Sequence, residues 1–338
     1  MSKGIVMPLV AAVVVLGLSA LLAWYFFSSF SKSSSSKLGP SISYKEAGIP
    51  VPEEFDPASV GSPHTRDSEK HPDCCNHPYW HKVYKATSFN GTTWNRENVL
   101  IEEHASVPAI LEKDDGSFIL YYVNGDVDTM DCSVSQDGKD FTKGGCTIYG
   151  FTENKVWDPY IVKIENGFYR MYFYAPSKGL VREEQEHKIM SAISKDGINW
   201  LQEEGPRFEY QGIIDPAVIK MGGVWRMYTW YPKDAGGPGN SVMVSATSND
   251  GLNFQFEKEF NVGGGIPEIV EYSRNRYRMY FCEQGISAVT STDGLDWSRK
   301  QTVLPAGPGE IVCDPSVIKS GGEWVMYYKV QEVNSSPF

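Results

Sequence analysis

The chain repeats one unit five times, and a repeat of about fifty residues leaves few folds open to it. One half of the unit reads Ser-x-Asp-Gly-x-x-aromatic, at 135–141, 194–200, 248–254 and 291–297. A degenerate fifth copy at 88–94 begins Ser88-Phe89-Asn90-Gly91 and ends on Trp94. Asp-Gly and Asn-Gly supply the positive φ of a tight turn, and the aromatic then packs on a sheet. The other half is a Pro opening a short apolar strand, a Gly-rich turn and an aromatic strand. Its prolines are Pro108, Pro159, Pro216, Pro267 and Pro315, spaced 51, 57, 51 and 48 residues apart. Three of them follow an acid, as Asp158-Pro159, Asp215-Pro216 and Asp314-Pro315; the other two follow Val107 and Ile266. Pro suits the first residue of a strand, where no ladder donor is yet required. Units of this length fit the four-stranded blades of a propeller. The spacing therefore predicts an all-β, five-bladed β-propeller over 79–332. The chain enters this region with a turn half and leaves with a Pro half. The N-terminal hairpin is thus expected to complete the last blade, which removes two exposed edges.

Composition agrees. Aromatics make up 13%, with 32 Gly and 20 Pro, which favours strands and turns. A net charge of −11 excludes a nucleic-acid partner held by bulk positive charge.

Residues 1–27 are a separate object. The run 5–27 carries no charge. As a helix it would be roughly 34 Å long, enough for a bilayer core of about 30 Å. Trp24 and Tyr25 close it with interfacial rings. We read it as a single-pass transmembrane helix, a signal anchor, with an uncleaved or cleaved signal sequence as the alternative. A Ser/Pro-rich linker and lead-in fills 28–78. Lys32 and Lys37 after the span favour a cytoplasmic C-terminal side. The sequons Asn90-Gly91-Thr92 and Asn334-Ser335-Ser336 and the use of cysteine favour the extracytoplasmic side, which we expect. Cys132 and Cys146 flank one hairpin and can bridge its strands. Cys74 and Cys75, with His71, His77 and His81 nearby, match no standard zinc spacing, so disulfides or free thiols are expected and no metal site.

The chemistry is expected on the axis. Inner strands of a propeller converge there, so Asp158, Asp215 and Asp314 face one funnel with Glu268 close by. Clustered, partly buried carboxyls differ in pKa, which lets one act as acid and another as base. Trp157, Trp230, Tyr174 and Tyr231 lie at strand ends, where flat rings would support a sugar. His104 is the one histidine expected near the mouth. Arg170, Arg226 and Arg278 recur with the blade and read as solvated or stacked repeat residues, with Arg226 kept as a candidate ligand contact. An Asp-Pro carboxylate can also be structural, accepting backbone donors at a strand start. No phosphate loop, dinucleotide fingerprint or nucleophile elbow is present.

Asp-Pro on the inner strand, Met-Tyr on the next and Ser-x-Asp-Gly-x-x-Trp in the outer turn resemble the five-bladed propellers of glycoside hydrolase families 43 and 32, the arabinanase, levansucrase and invertase relatives. The outer motif also resembles a shortened sialidase Asp-box, which is structural. The resemblance implies a glycosidase acting on an oligo- or polysaccharide. It implies a base or nucleophile Asp on the first blade, a pKa-tuning Asp two blades later and an acid Glu on the fourth. Carried over, these roles fall on Glu268 as acid, Asp215 as modulator, and Asp158 or Asp314 as base, because the first blade carries Val107. Glu268 follows its proline, whereas the family's Glu precedes it. A non-catalytic carbohydrate-binding or scaffold ring, or a glycan phosphorylase or transferase using Arg226 or Arg278, are the alternative readings. The resemblance implies no cofactor; in some relatives a cation occupies the funnel.

Overall fold

The computed structural model describes residues 77–151, 155–175, 186–233, 237–283 and 285–333. The run 5–27, His71, Cys74, Cys75 and Asn334 lie outside them. Among the described residues no helix is long and apolar enough to cross a membrane.

Five antiparallel sheets form the blades. Blade 1 is Ala105–Glu112, Phe118–Asn124, Thr129–Ser135 and Thr142–Lys143. Blade 2 is Trp157–Lys163, Tyr169–Tyr174, Glu186–Ser194 and Asn199–Gln202. Two further strands join it. Thr147–Tyr149 runs parallel to its outer strand, and Phe208–Gln211 pairs with Glu186–Ser194. Blade 3 is Ile214–Met221, Val224–Pro232, Ser241–Ser248 and Gln255–Phe260; blade 4 is Gly265–Ser273, Arg276–Cys282, Gly285–Ser291 and Gln301–Pro305. Blade 5 takes Glu310–Ser320 and Glu323–Glu332 from the end of the domain and His81–Ser88 and Asn95–Glu103 from its start. The closure is a continuous ladder from His81↔Gln331 to Ser88↔Trp324.

Each proline sits inside its inner strand rather than at the first residue. The ladder slips there, between Trp157 and Tyr160, Ile214 and Ala217, and Cys313 and Ser316, and likewise in blades 1 and 4. The bulge removes the proline from the hydrogen-bonding register, so its missing N–H costs nothing. The residue before each proline takes a positive φ: Val107 48°, Asp158 53°, Asp215 50°, Ile266 58° and Asp314 50°. Asp tolerates this region through its short polar side chain, whereas Val and Ile are strained there.

The outer motif proves to be the joint between blades. Its serine hydroxyl takes the Gly amide, and its Asp Oδ1 takes the next two amides, as in Ser194–Gly197 and Asp196–Ile198/Asn199. The Gly carbonyl then accepts the hydroxyl of the Tyr in the neighbouring blade's second strand. Tyr121 bonds Gly197, Tyr172 Gly251, Tyr228 Gly294, Tyr280 Gly91 and Tyr327 Gly138, at 2.5–2.8 Å. The motif's aromatic meets the same Tyr edge-on, as Trp200 does Tyr121 at 5.8 Å. Five cores between adjacent blades result, each filled by buried aromatic and aliphatic side chains, with methionines in four of them. Burying one such side chain contributes roughly 1.5–3 kcal/mol.

The recurring arginines belong to these joints and are not solvated. Arg170 pairs with Glu203 at 2.8 Å and reaches the Gly251 carbonyl. Arg226 pairs with Glu257 at 2.7 Å and donates to the Asp293 carbonyl, and Arg278 donates to Asn90 O at 3.0 Å.

Candidate functional site at the axis

The five X-Pro bulges turn toward one another. Val107, Asp158, Asp215, Ile266 and Asp314, their prolines, and Tyr160 and Glu268 line one hollow of about 20 Å³. That is room for one water. Four predicted acids from four blades are therefore brought together. All four are nine-tenths or more buried.

Each acid is held differently. Burial pushes the Asp158 carboxyl well above its ordinary range, and the charges of Asp215 and Asp314 push the same way. The Asp215 amide and the Lys329 ammonium oppose this. Asp215 Oδ2 accepts the Trp230 indole N–H at 2.6 Å. Gly265 packs against that indole, where a Cβ would come within 2.5 Å of the ring. Asp314 Oδ2 receives Lys329 Nζ at 2.9 Å, the Val107 amide at 3.1 Å and Ser106 Oγ at 3.3 Å. Ser106 Oγ is 3.0 Å from His81 Nδ1. Asp314 Oδ1 is buried without a partner among the described residues. Burial also raises Glu268 well above the usual range, against the Val317 amide that it accepts. Tyr160, at the same repeat position as Glu268, reaches across the ring, and its hydroxyl donates to the Ile269 carbonyl at 3.2 Å.

A cation does not fit these residues. Among the described residues no group of three or more His, Cys, Asp or Glu is arranged to hold a metal, and the Lys329 ammonium already supplies the counter-charge.

The rest of the predicted set divides. Trp157 stands half-buried beside Asp158, with its N–H on the Asp128 carbonyl at 3.1 Å. His104, in the link from blade 5 to blade 1, bonds Asp126 at 3.0 Å, and its ring lies 3.9 Å from the Tyr79 ring centre. Neither lines the hollow itself; each is adjacent in sequence to an inner strand's start or its X-Pro bulge. Tyr174 and Trp230 are 5% exposed and offer no face to a sugar, because both are packed between blades. Trp230 acts instead by positioning Asp215. Tyr231 lies in a separate surface group with Tyr210 and Phe256, its hydroxyl on Glu259. Arg226 points into the joint with blade 4 and does not line the hollow.

Sequence reasoning missed Lys329, Tyr160 and the Cys282–Cys313 disulfide, whose Cα atoms are 4.9 Å apart. The repeat did hold a signal for two of them. The position two after the Tyr that bonds the neighbouring blade's Gly carbonyl is Val123, Tyr174, Trp230, Cys282 and Lys329. It stands opposite the residue before the bulge, as Cys313↔Lys329 and Ile214↔Trp230 show. The predicted Cys132–Cys146 bond is present, with Cα atoms 5.7 Å apart.

The fold is that of glycoside hydrolase propellers. A thermostable family-43 glycoside hydrolase superposes with a TM-score of 0.53 at 16% identity, over 69% of this chain and 95% of that one. An N-acetylgalactosamine deacetylase from F. plautii, in complex with blood group B trisaccharide, gives 0.54 at 14% identity over 72% and 85%. An alpha-L-arabinofuranosidase from Lactobacillus brevis gives 0.52 at 13% identity over 68% and 90%. At such identities the likeness is one of fold. No protein-family model and no curated protein matches the chain.

Proposed function

We propose that the propeller acts on carbohydrate at the mouth of its axis, as a glycosidase in which a neutral carboxyl works beside an ionised one. The observation that carries this is the meeting of Asp158, Asp215 and Asp314 in one hollow, where burial and the two neighbouring carboxylates push Asp158 well above its ordinary range. A protonated carboxyl can give its proton to a leaving oxygen while its ionised partner assists the attacking group. Glu268 follows its proline, outside the X-Pro position that Asp158 and Asp215 share, so the acid is assigned to Asp158 and the ionised partner to Asp215. Asp314 and Lys329 set the field around them. A hollow of 20 Å³ admits a water but no sugar ring, so the sugar lies above it, against Trp157 and His104.

A second reading has its own support. Asp158, Asp314 and Glu268 each accept an amide from another blade, and Val107 stands where the resembling families place an acid. These features suit a ring that binds glycans without cleaving them. The phosphorolytic reading loses its support, because Arg226 and Arg278 are committed to joints between blades.

Turnover of aryl glycosides, with glycan-array binding in parallel, separates the two. Asp158→Asn is expected to lower turnover by about 10²–10⁴-fold with binding retained. Full activity of that variant rejects the assignment, and binding without turnover by the parent chain establishes the second reading.

We also place the propeller on the extracytoplasmic side. Its two disulfides, which leave no free cysteine among the described residues, support this.

A further inference from the structure

Four of the five outer turns carry Asp, and blade 5 carries Asn90. The change costs the turn nothing. Only Oδ1 is needed, and Asn90 Oδ1 takes the Thr92 and Thr93 amides at 2.8 and 2.9 Å, just as Asp250 takes Leu252 and Asn253. The other head atom differs. Asp196 and Asp250 use Oδ2 to hold Asn199 and Asn253 at 2.8 Å. Asn90 has Thr93 at that position, and its Nδ2 donates to no described residue. It is exposed, with Thr92 two residues on. Phe89 next to it is 87% exposed, where the other copies carry Gln136, Lys195, Asn249 and Thr292. The odd copy of the repeat thus departs from the others in the features that make an N-glycan acceptor with an uncovered aromatic ring beside it.

We propose that Asn90 is N-glycosylated and that the first sugar of the glycan packs on Phe89. Asn90 Nδ2 attacks the anomeric carbon of a lipid-pyrophosphate-linked oligosaccharide. A C–N bond forms, the C–O bond to the pyrophosphate breaks, the lipid pyrophosphate leaves, and the amide gives up one proton. The glycosylated amide keeps its carbonyl oxygen, so both turn hydrogen bonds survive. The turn itself is fixed by blade 4, through Arg278 to Asn90 O and Tyr280 to Gly91 O. The turn lies at the end of the blade away from the X-Pro mouth, so a glycan there leaves the axis open. The proposal rests on the extracytoplasmic placement and is independent of any chemistry at the axis.

The test is mass spectrometry of the full chain made in a eukaryotic secretory host, with peptide N-glycosidase release in isotope-labelled water. The Asn90 peptide is expected to yield labelled aspartate. Asn90→Asp restores the residue of the other four copies, so it keeps the turn and loses the label. Thr92→Ala loses the label too, since only the Thr92 backbone serves the turn. Disulfides formed with Asn90 unmodified overturn the proposal alone. Free thiols with Asn90 unmodified overturn the placement and the proposal together. Glycan release that lowers the Tm of a Phe89→Ser chain as much as that of the parent overturns the stacking.

Discussion

The molecule carries two rings of acidic side chains, and the contrast between them separates scaffold from site. The outer ring, Asp137, Asp196, Asp250 and Asp293, is uniform. Each carboxylate takes two backbone amides and a serine hydroxyl near solvent, and those bonds draw Asp137 and Asp293 down to about 2. These groups are ionised caps for a turn. The inner ring is broken: Val107, Asp158, Asp215, Ile266, Asp314. Here there is room for a single water, the acids face one another, and Asp158 and Glu268 are pushed up. The same residue type is fixed as an anion throughout the outer ring, whereas in the inner ring one member, Asp158, is pushed toward its neutral form beside an Asp314 paired with Lys329. Amide donors decide the first case; desolvation and like charge decide the second. Five acids around 20 Å³ with one lysine would repel too strongly, which gives a physical reason for two apolar members.

The largest break in this comparison is Asp314→Ala. It leaves Lys329 buried without its partner, and a loss of about 3–5 kcal/mol is expected in urea unfolding. A loss below 1 kcal/mol would show that the inner ring needs no internal ion pair. Next comes the outer ring. Asp196→Ala removes two amide bonds and a serine bond at one joint, and about 1–2 kcal/mol should be lost. If it costs more than Asp314→Ala, the order of the two rings is reversed. Asp158→Asn sharpens the contrast with the smallest change. Burial already pushes the folded carboxyl toward its neutral form and Asn accepts the positive φ, so stability near pH 4 should barely move.

The pH dependence then distinguishes the rings. Asp158 and Glu268 bind protons more tightly folded than unfolded, so their contribution is present at low pH and is lost as pH rises above the unfolded values, 3.8 and 4.5. The outer Asp137 and Asp293 do the opposite, and their contribution is lost as pH falls from about 4 towards 2. As pH rises above about 5 the parent should therefore lose stability, by at most about 1.4 kcal/mol per pH unit for each proton. Asp158→Asn should flatten that slope in Tm measurements. An unchanged slope would mean that Asp158 is ionised after all.

The blades, their number and the closure by the first hairpin were legible because each unit carries a turn signal and a Pro signal at nearly fixed spacing. The convergence of Asp158, Asp215, Asp314 and Glu268 was legible for the same reason, since repeat register fixes position around an axis. Orientation was less legible. Trp230 and Tyr174 look like platforms in sequence, yet strand alternation turns them into the cores between blades. Lys329 reads as an outward residue of an alternating strand, and only its register opposite Cys313 brings it to Asp314. Phe208–Gln211 and Thr147–Tyr149 went unseen because they belong to one blade and repeat nowhere.

The ladder between His81–Ser88 and Glu323–Glu332 also governs timing. A ribosome delivers the first of these strands long before the second exists. Until synthesis is almost complete, that hairpin waits with an unsatisfied flank, exposed to chaperones or to a like strand from another copy. Circular permutants with new ends between blades 2 and 3 would shorten that wait, and their yield against the parent would measure what the late closure costs the cell.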